Sequence, residues 1–267
     1  MSRKKIRVNI CRDIDTLIDL LNKQPDRGCE VVVEGLEKLR TKVRSVKEND
    51  TWKLNFDLSF KKINKRDLKI PKNISEKITD ITLLLRVNIT EKALSDIEIE
   101  DGIVQNNSIS KPIKYGVQII AYAKVKDKLL EVKQFKAAWH LDKHIRSDDG
   151  IDGVGSGFLH PEYHFNMGGF GITKDDNTEY GNILIIDTPR LMHPPLDSIL
   201  AVDFIINNFY GCKAQNLLTL KGYRRIVANA KKRLWRPYFI ALANQWESNF
   251  DSLSIEPTFS QKILGEI

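Results

Sequence analysis

A chain of 267 residues that is 42% hydrophobic and 8% aromatic can bury one large core or two small ones. That excludes a disordered chain and a disulfide-stapled mini-protein. Lys+Arg total 42 against 35 Asp+Glu, a formal charge of +7, and the three cysteines (Cys11, Cys29, Cys212) are too few and too scattered for a disulfide framework or a zinc cluster.

The cysteine usage fits a reducing compartment. No run of 18 uncharged apolar residues is present, and the basic start (Arg3, Lys4, Lys5, Arg7) leads into no signal-peptide apolar stretch. The expectation is a soluble, cytoplasmic protein with no membrane association.

Asp13 is expected to cap a first helix carrying Ile14, Leu17, Ile18 and Leu21 at helical spacing. A second helix begins near Glu34 and runs through Leu36, Leu39 and Val43. Strict alternation then marks strands: Trp52, Leu54, Phe56, Leu58 and Phe60, followed by Ile81, Leu83, Leu85, Val87 and Ile89. Val117, Ile119, Ala121, Ala123 and Val125 lead through the polar turn Lys126-Asp127-Lys128 into a return strand. That strand carries Leu130, Val132 and Gln134 to Trp139, and the pair reads as a hairpin.

Between Ser147 and Asn182 the pattern dissolves. Seven of the 15 glycines lie from Gly150 to Gly171, which predicts a long loop holding one short strand. Ile183 to Ile186 is a second short strand. Pro195 suits the first turn of an apolar helix from Leu196 to Tyr210, stopped by Gly211. A basic helix from about Lys221 to Arg236 follows, ended or kinked by Pro237, and a last helix passes through Ile240, Leu242 and Trp246. The predicted fold class is α+β, with an antiparallel sheet in the N-terminal half and packed helices mainly C-terminal. One domain over 1–267 is expected, β-rich over 50–145, Gly/His-rich over 146–194 and helical over 195–267.

All five histidines fall between His140 and His193. In an extended strand His140, Asp142 and His144 project from one face, where two imidazoles and a carboxylate can bind a transition metal or supply a base and its orienting partner. His160 and His164 flank the segment His160-Pro161-Glu162-Tyr163-His164. Arg190 and His193 sit at the mouth of the apolar helix, whose N-terminus favours anions. The alternative is that these histidines brace irregular backbone in a loop rich in unpaired polar groups. The spacing matches no zinc signature, and a Gly-x-Ser-x-Gly elbow, a P-loop and a dinucleotide fingerprint are all missing. A divalent metal therefore stays an open cofactor. Asp203 falls on a helix face that should be buried, to be paired with Arg190 or His193 or used as a cap.

From Phe204 to Trp246 no Asp or Glu occurs, while eight Lys/Arg do. At 100° per residue, Lys221, Arg225, Lys232 and Arg236 form one narrow stripe opposite Tyr223, Val227, Ala230 and Leu234. Phosphate is the leading partner, with Tyr223, Trp235 and Tyr238 available to stack on bases. A solvated face, an acidic partner subunit, or neutralisation by Asp96, Glu98, Glu100 and Asp101 are the alternatives.

The hairpin ending in Trp139-His140, the His-Pro-x-x-His segment and the basic remainder together resemble small bacterial nuclease-type toxins. No diagnostic motif carries the likeness, and no residue role is taken from it. Two functions are expected as alternatives. One is a nucleic-acid-associated phosphodiesterase or nuclease, using His140, Asp142, His144, His160, His164, Arg190 and His193 for catalysis and the stripe for binding. The other is a non-catalytic subunit or adaptor of a nucleic-acid-acting assembly.

Overall fold

Apolar residues at every second position let one face of a strand bury while the other meets water. The structure, a computed structural model, describes residues 3–22, 30–31, 33–46, 52–61, 63, 78–90, 115–126, 132–143, 163–167, 191–210 and 214–249. Within them seven strands form one sheet in chain order, each antiparallel to its predecessor. They are β1 (Glu30–Val31), β2 (Lys53–Lys61), β3 (Ile78–Thr90), β4 (Tyr115–Lys126), β5 (Val132–Lys143), β6 (Tyr163–Met167) and β7 (Leu191–Met192). The helices are α1 (Arg3–Asn22), α2 (Glu34–Arg44), α3 (Ser198–Phe209), α4 (Gln215–Leu218) and α5 (Lys221–Asn249). The expected α+β architecture is the one adopted.

Register carries the apolar face across the sheet. Phe56 pairs with Val87, Val87 with Val117, Val117 with Leu141, and Leu141 with Phe165. The C-terminal helices dock on that same face. Trp139 meets Phe209 at 5.8 Å between ring centroids, Phe165 meets Phe204 at 5.5 Å, and Tyr163 meets Tyr238 at 5.7 Å. The buried Tyr115 hydroxyl accepts from the Leu196 amide at 2.6 Å and donates to the Leu196 carbonyl, which fixes the entry to α3 against β4. Gly35, at the start of α2, approaches β2 so closely that a Cβ there would stand 2.0 Å from the Asp57 carbonyl oxygen.

A buried ion network ties the helices together. Arg233 on α5 donates to Asp13 on α1 at 2.5 Å and to Asp197 at 2.9 Å, and all three side chains are almost wholly enclosed. Asn229 donates to the second oxygen of Asp13, while Asp197 also caps α3 by accepting from the Ile199 and Leu200 amides. Burial alone would lower the Arg233 pKa, but the two carboxylates outweigh it and hold the guanidinium charged.

Several expectations are corrected. Asp13 does not cap α1, which starts at Arg3; it sits inside the helix as an acceptor for Arg233. The N-cap of the apolar helix is Asp197, so Pro195 lies ahead of the helix and not in its first turn. Pro237 does not end the basic helix, which continues to Asn249 as one element. Asp203 is half-buried and accepts from the Tyr223 hydroxyl at 2.9 Å and from Asn207, so its partner is not His193. The hairpin is found with Lys126 opposite Val132. The Ile183–Ile186 strand, the Asp96–Asp101 acids and most of the glycine-rich loop lie outside the described residues.

Candidate functional site

The face of the sheet turned away from the helices carries two polar rows running from strand to strand. Asp57, Arg86, Gln118, His140 and Asn166 stand in one; Asn55, Asn88, Gly116, Asp142 and His164 stand in the next. The rows are exposed over β2 and β3, half-buried over β4 and β5, and closed over His164, which is 7% exposed. Ile120 and Ala138 on this face are buried outside the main core. Along these rows the face is therefore fully open to solvent only over β2 and β3.

Alternation along β5 puts His140 and Asp142 on one face, and antiparallel register sets His164 opposite Asp142. His140 Nε2 lies 3.1 Å from Asp142 Oδ2, while its Nδ1 is buried without a hydrogen-bond partner among the described residues. Burial pushes the Asp142 carboxyl up, and the neighbouring His140 and His164 pull it back towards ionisation. The arrangement can hold a proton or orient an imidazole. Among the described residues no group of three or more His, Cys, Asp or Glu stands where it could hold a metal ion.

His193 does not join this group. It follows β7, its amide donates to the Tyr163 carbonyl, and its ring lies 5.8 Å from Phe165 and 5.7 Å from Phe204. Phe165 faces the helices, so the sheet separates His193 from His164. Its Nδ1 donates to the Pro194 carbonyl at 2.6 Å, and burial lowers its pKa against that hydrogen bond. This is the backbone-bracing role weighed above. His144, His160 and Arg190 lie outside the described residues. A cavity between α1 and α2 and another between α2 and β2 include none of the histidines.

The basic stripe is built by α5. Tyr223, Ile226, Val227, Ala230, Leu234 and Tyr238 recur every three or four residues and are buried, which turns Lys221, Arg225, Lys232 and Arg236 outward. All four are exposed and none has an ion-pair partner among the described residues. Arg233, of the same helix, is withdrawn into the ion network and does not belong to the stripe. Tyr223 and Tyr238 are 2% and 3% exposed, so they face the core and cannot stack on bases. Trp235 is half-buried, donates from Nε1 to the Pro195 carbonyl at 2.8 Å, and carries the Lys231 ammonium over its ring. The expected aromatic interleaving is thus reduced to one partly covered indole.

Sequence reasoning missed the Asp13–Arg233–Asp197 network and the pairing of Asp142 with His164. The first joins residues 220 positions apart and leaves no local signal. The second rests on a strand inside a loop.

The stripe and the His140–Asp142–His164 group lie on opposite sides of the sheet, because the ring contacts of the C-terminal helices fall on its other face. A helix layer and the sheet lie between them, on the order of 20 Å. Among the described residues no helix is long and apolar enough to cross a membrane. No protein-family model matches the chain, and neither the curated proteins nor the solved structures compared with it give a match.

Proposed function

We propose that this chain is a non-catalytic, nucleic-acid-binding subunit or adaptor of a cytoplasmic assembly, and that it grips a phosphate backbone through Lys221, Arg225, Lys232 and Arg236. One observation carries the reading: four exposed cations, with no acidic partner among the described residues, stand on a helix whose other side is committed to the core. From Lys221 to Arg236 the stripe spans about 22 Å at the helical rise, long enough to follow several phosphates. Phosphate contacts of this kind release counterions, so binding should depend steeply on salt.

The test is a salt titration with a labelled oligonucleotide. Four neutralised phosphates give a slope of log affinity against log salt of about −3 to −4, and Arg225→Gln with Lys232→Gln should shallow it by about two units. Affinity that ignores salt, or a slope unchanged in the double variant, ends the proposal.

A second reading, phosphodiester cleavage without metal, is favoured by Asp142 standing between His140 and His164. It ranks second because one nitrogen of His140 serves Asp142 and the other is buried, and because the group faces away from the stripe. Cleavage of the bound oligonucleotide, abolished by His164→Ala with melting and binding intact, would reverse the ranking.

A further inference from the structure

We propose that the groove between α1 and α2 is a second, independent anion site, shaped for the phosphoryl group of a small phosphorylated ligand. Arg7, Cys11 and Asp15 recur every four residues on α1 and meet Val43 and Arg44 of α2 around a cavity of about 330 Å³, the low end of small-ligand pockets. Arg12 stands at its rim. Leaving Arg7 aside, Arg12 and Arg44 line it among the described residues with a single carboxylate, Asp15, which Arg44 already shares with Arg40, an imbalance that an anion would relieve.

The partners of these groups define the site further. Arg44 and Arg40 both donate to Asp15, which spends the one acid on the α2 side. Arg7 donates from one terminal nitrogen to the Val46 carbonyl at 2.9 Å and is thereby held in place. Arg12 is exposed and has no partner among the described residues. The floor is Cys11 and Val43, both buried, and burial raises the Cys11 pKa so that it adds no negative charge. Forked guanidinium donors over an apolar floor suit a phosphoryl group better than a carboxylate, since they match its oxygens two at a time. The site is separate from the stripe. Asp13 turns to α5 on one flank of α1, whereas Arg7, Cys11 and Asp15 turn to α2 on the other.

The probe is inorganic pyrophosphate, titrated calorimetrically into the full chain. Saturable binding is expected, weakened about tenfold by Arg12→Gln, the loss of one charge-assisted contact, with the ligand-free melting temperature unchanged. Arg44→Gln should weaken it similarly, and Arg225→Gln with Lys232→Gln should leave it intact. No saturable binding, binding indifferent to Arg12→Gln, or loss in the stripe variant would overturn the site. The stripe variant also separates this outcome from failure of the nucleic-acid reading. Displacement of pyrophosphate by a single-stranded oligonucleotide identifies a nucleic-acid backbone as the phosphate source; its persistence identifies a small phosphorylated molecule.

Discussion

The two sides of α5 use the same residue type to opposite ends. On the outer side, Arg225 and Arg236 stand in solvent with no partner among the described residues. On the inner side, Arg233 is enclosed with two carboxylates, one of them the cap of α3. Helical phase decides which role an arginine plays: Arg233 lies 60–120° from the stripe and borders the buried arc (at 100° per residue). Cation count along a segment therefore overstates the charge available to a partner, since Arg233 is neutralised inside the fold.

The largest expected effect sharpens that contrast. Arg233→Ala leaves Asp13 and Asp197 buried without their cation and should cost about 3–5 kcal/mol in chemical denaturation. Arg225→Ala should stay within about 0.5 kcal/mol. Equal effects would mean the two sides do not differ as described. An intermediate change is expected at the border. Trp235→Phe deletes the indole donor to the carbonyl of buried Pro195 and should cost about 1–2 kcal/mol.

The smallest effect is a pH slope. Burial raises the Asp203 pKa above 3.8, opposed by the Tyr223 hydrogen bond, by Lys231 and by Asn207. The folded chain thus keeps this proton to higher pH than the unfolded chain does. Its contribution to stability is present below 3.8 and is lost as pH rises through the folded value. Asp203→Asn should flatten that part of the stability profile, measured by thermal melting across the acid range. An unchanged profile would mean that Asp203 titrates alike in both states.

Legibility in the sequence followed the range of the interaction. Leu54 to Phe60 and Ile81 to Ile89 alternate strictly, so β2 and β3 were readable, as was α2 from Leu36, Leu39 and Val43. The strands β1 and β7 have two residues each, too short for any period to appear. Pro237 reads as an end or a kink because proline removes one amide, yet α5 runs through it, and Leu234 and Tyr238, buried on either side, hold its inner face continuous. Of the histidine site, the shared face of His140 and Asp142 follows from alternation alone. Its completion by His164 required β5–β6 register across a long loop, and the exclusion of His193 required knowing which face of β6 it covers. Composition gives neither.

The sheet adds each strand beside the one made just before it, so it can assemble progressively as the chain leaves the ribosome. The helix closest to the N-terminus cannot finish its packing on that schedule. Asp13 receives its guanidinium only when Arg233 has been synthesised, 220 positions later. Until then α1 carries an acid that has no place in an apolar interior, and the final seating of the helical layer waits for α5.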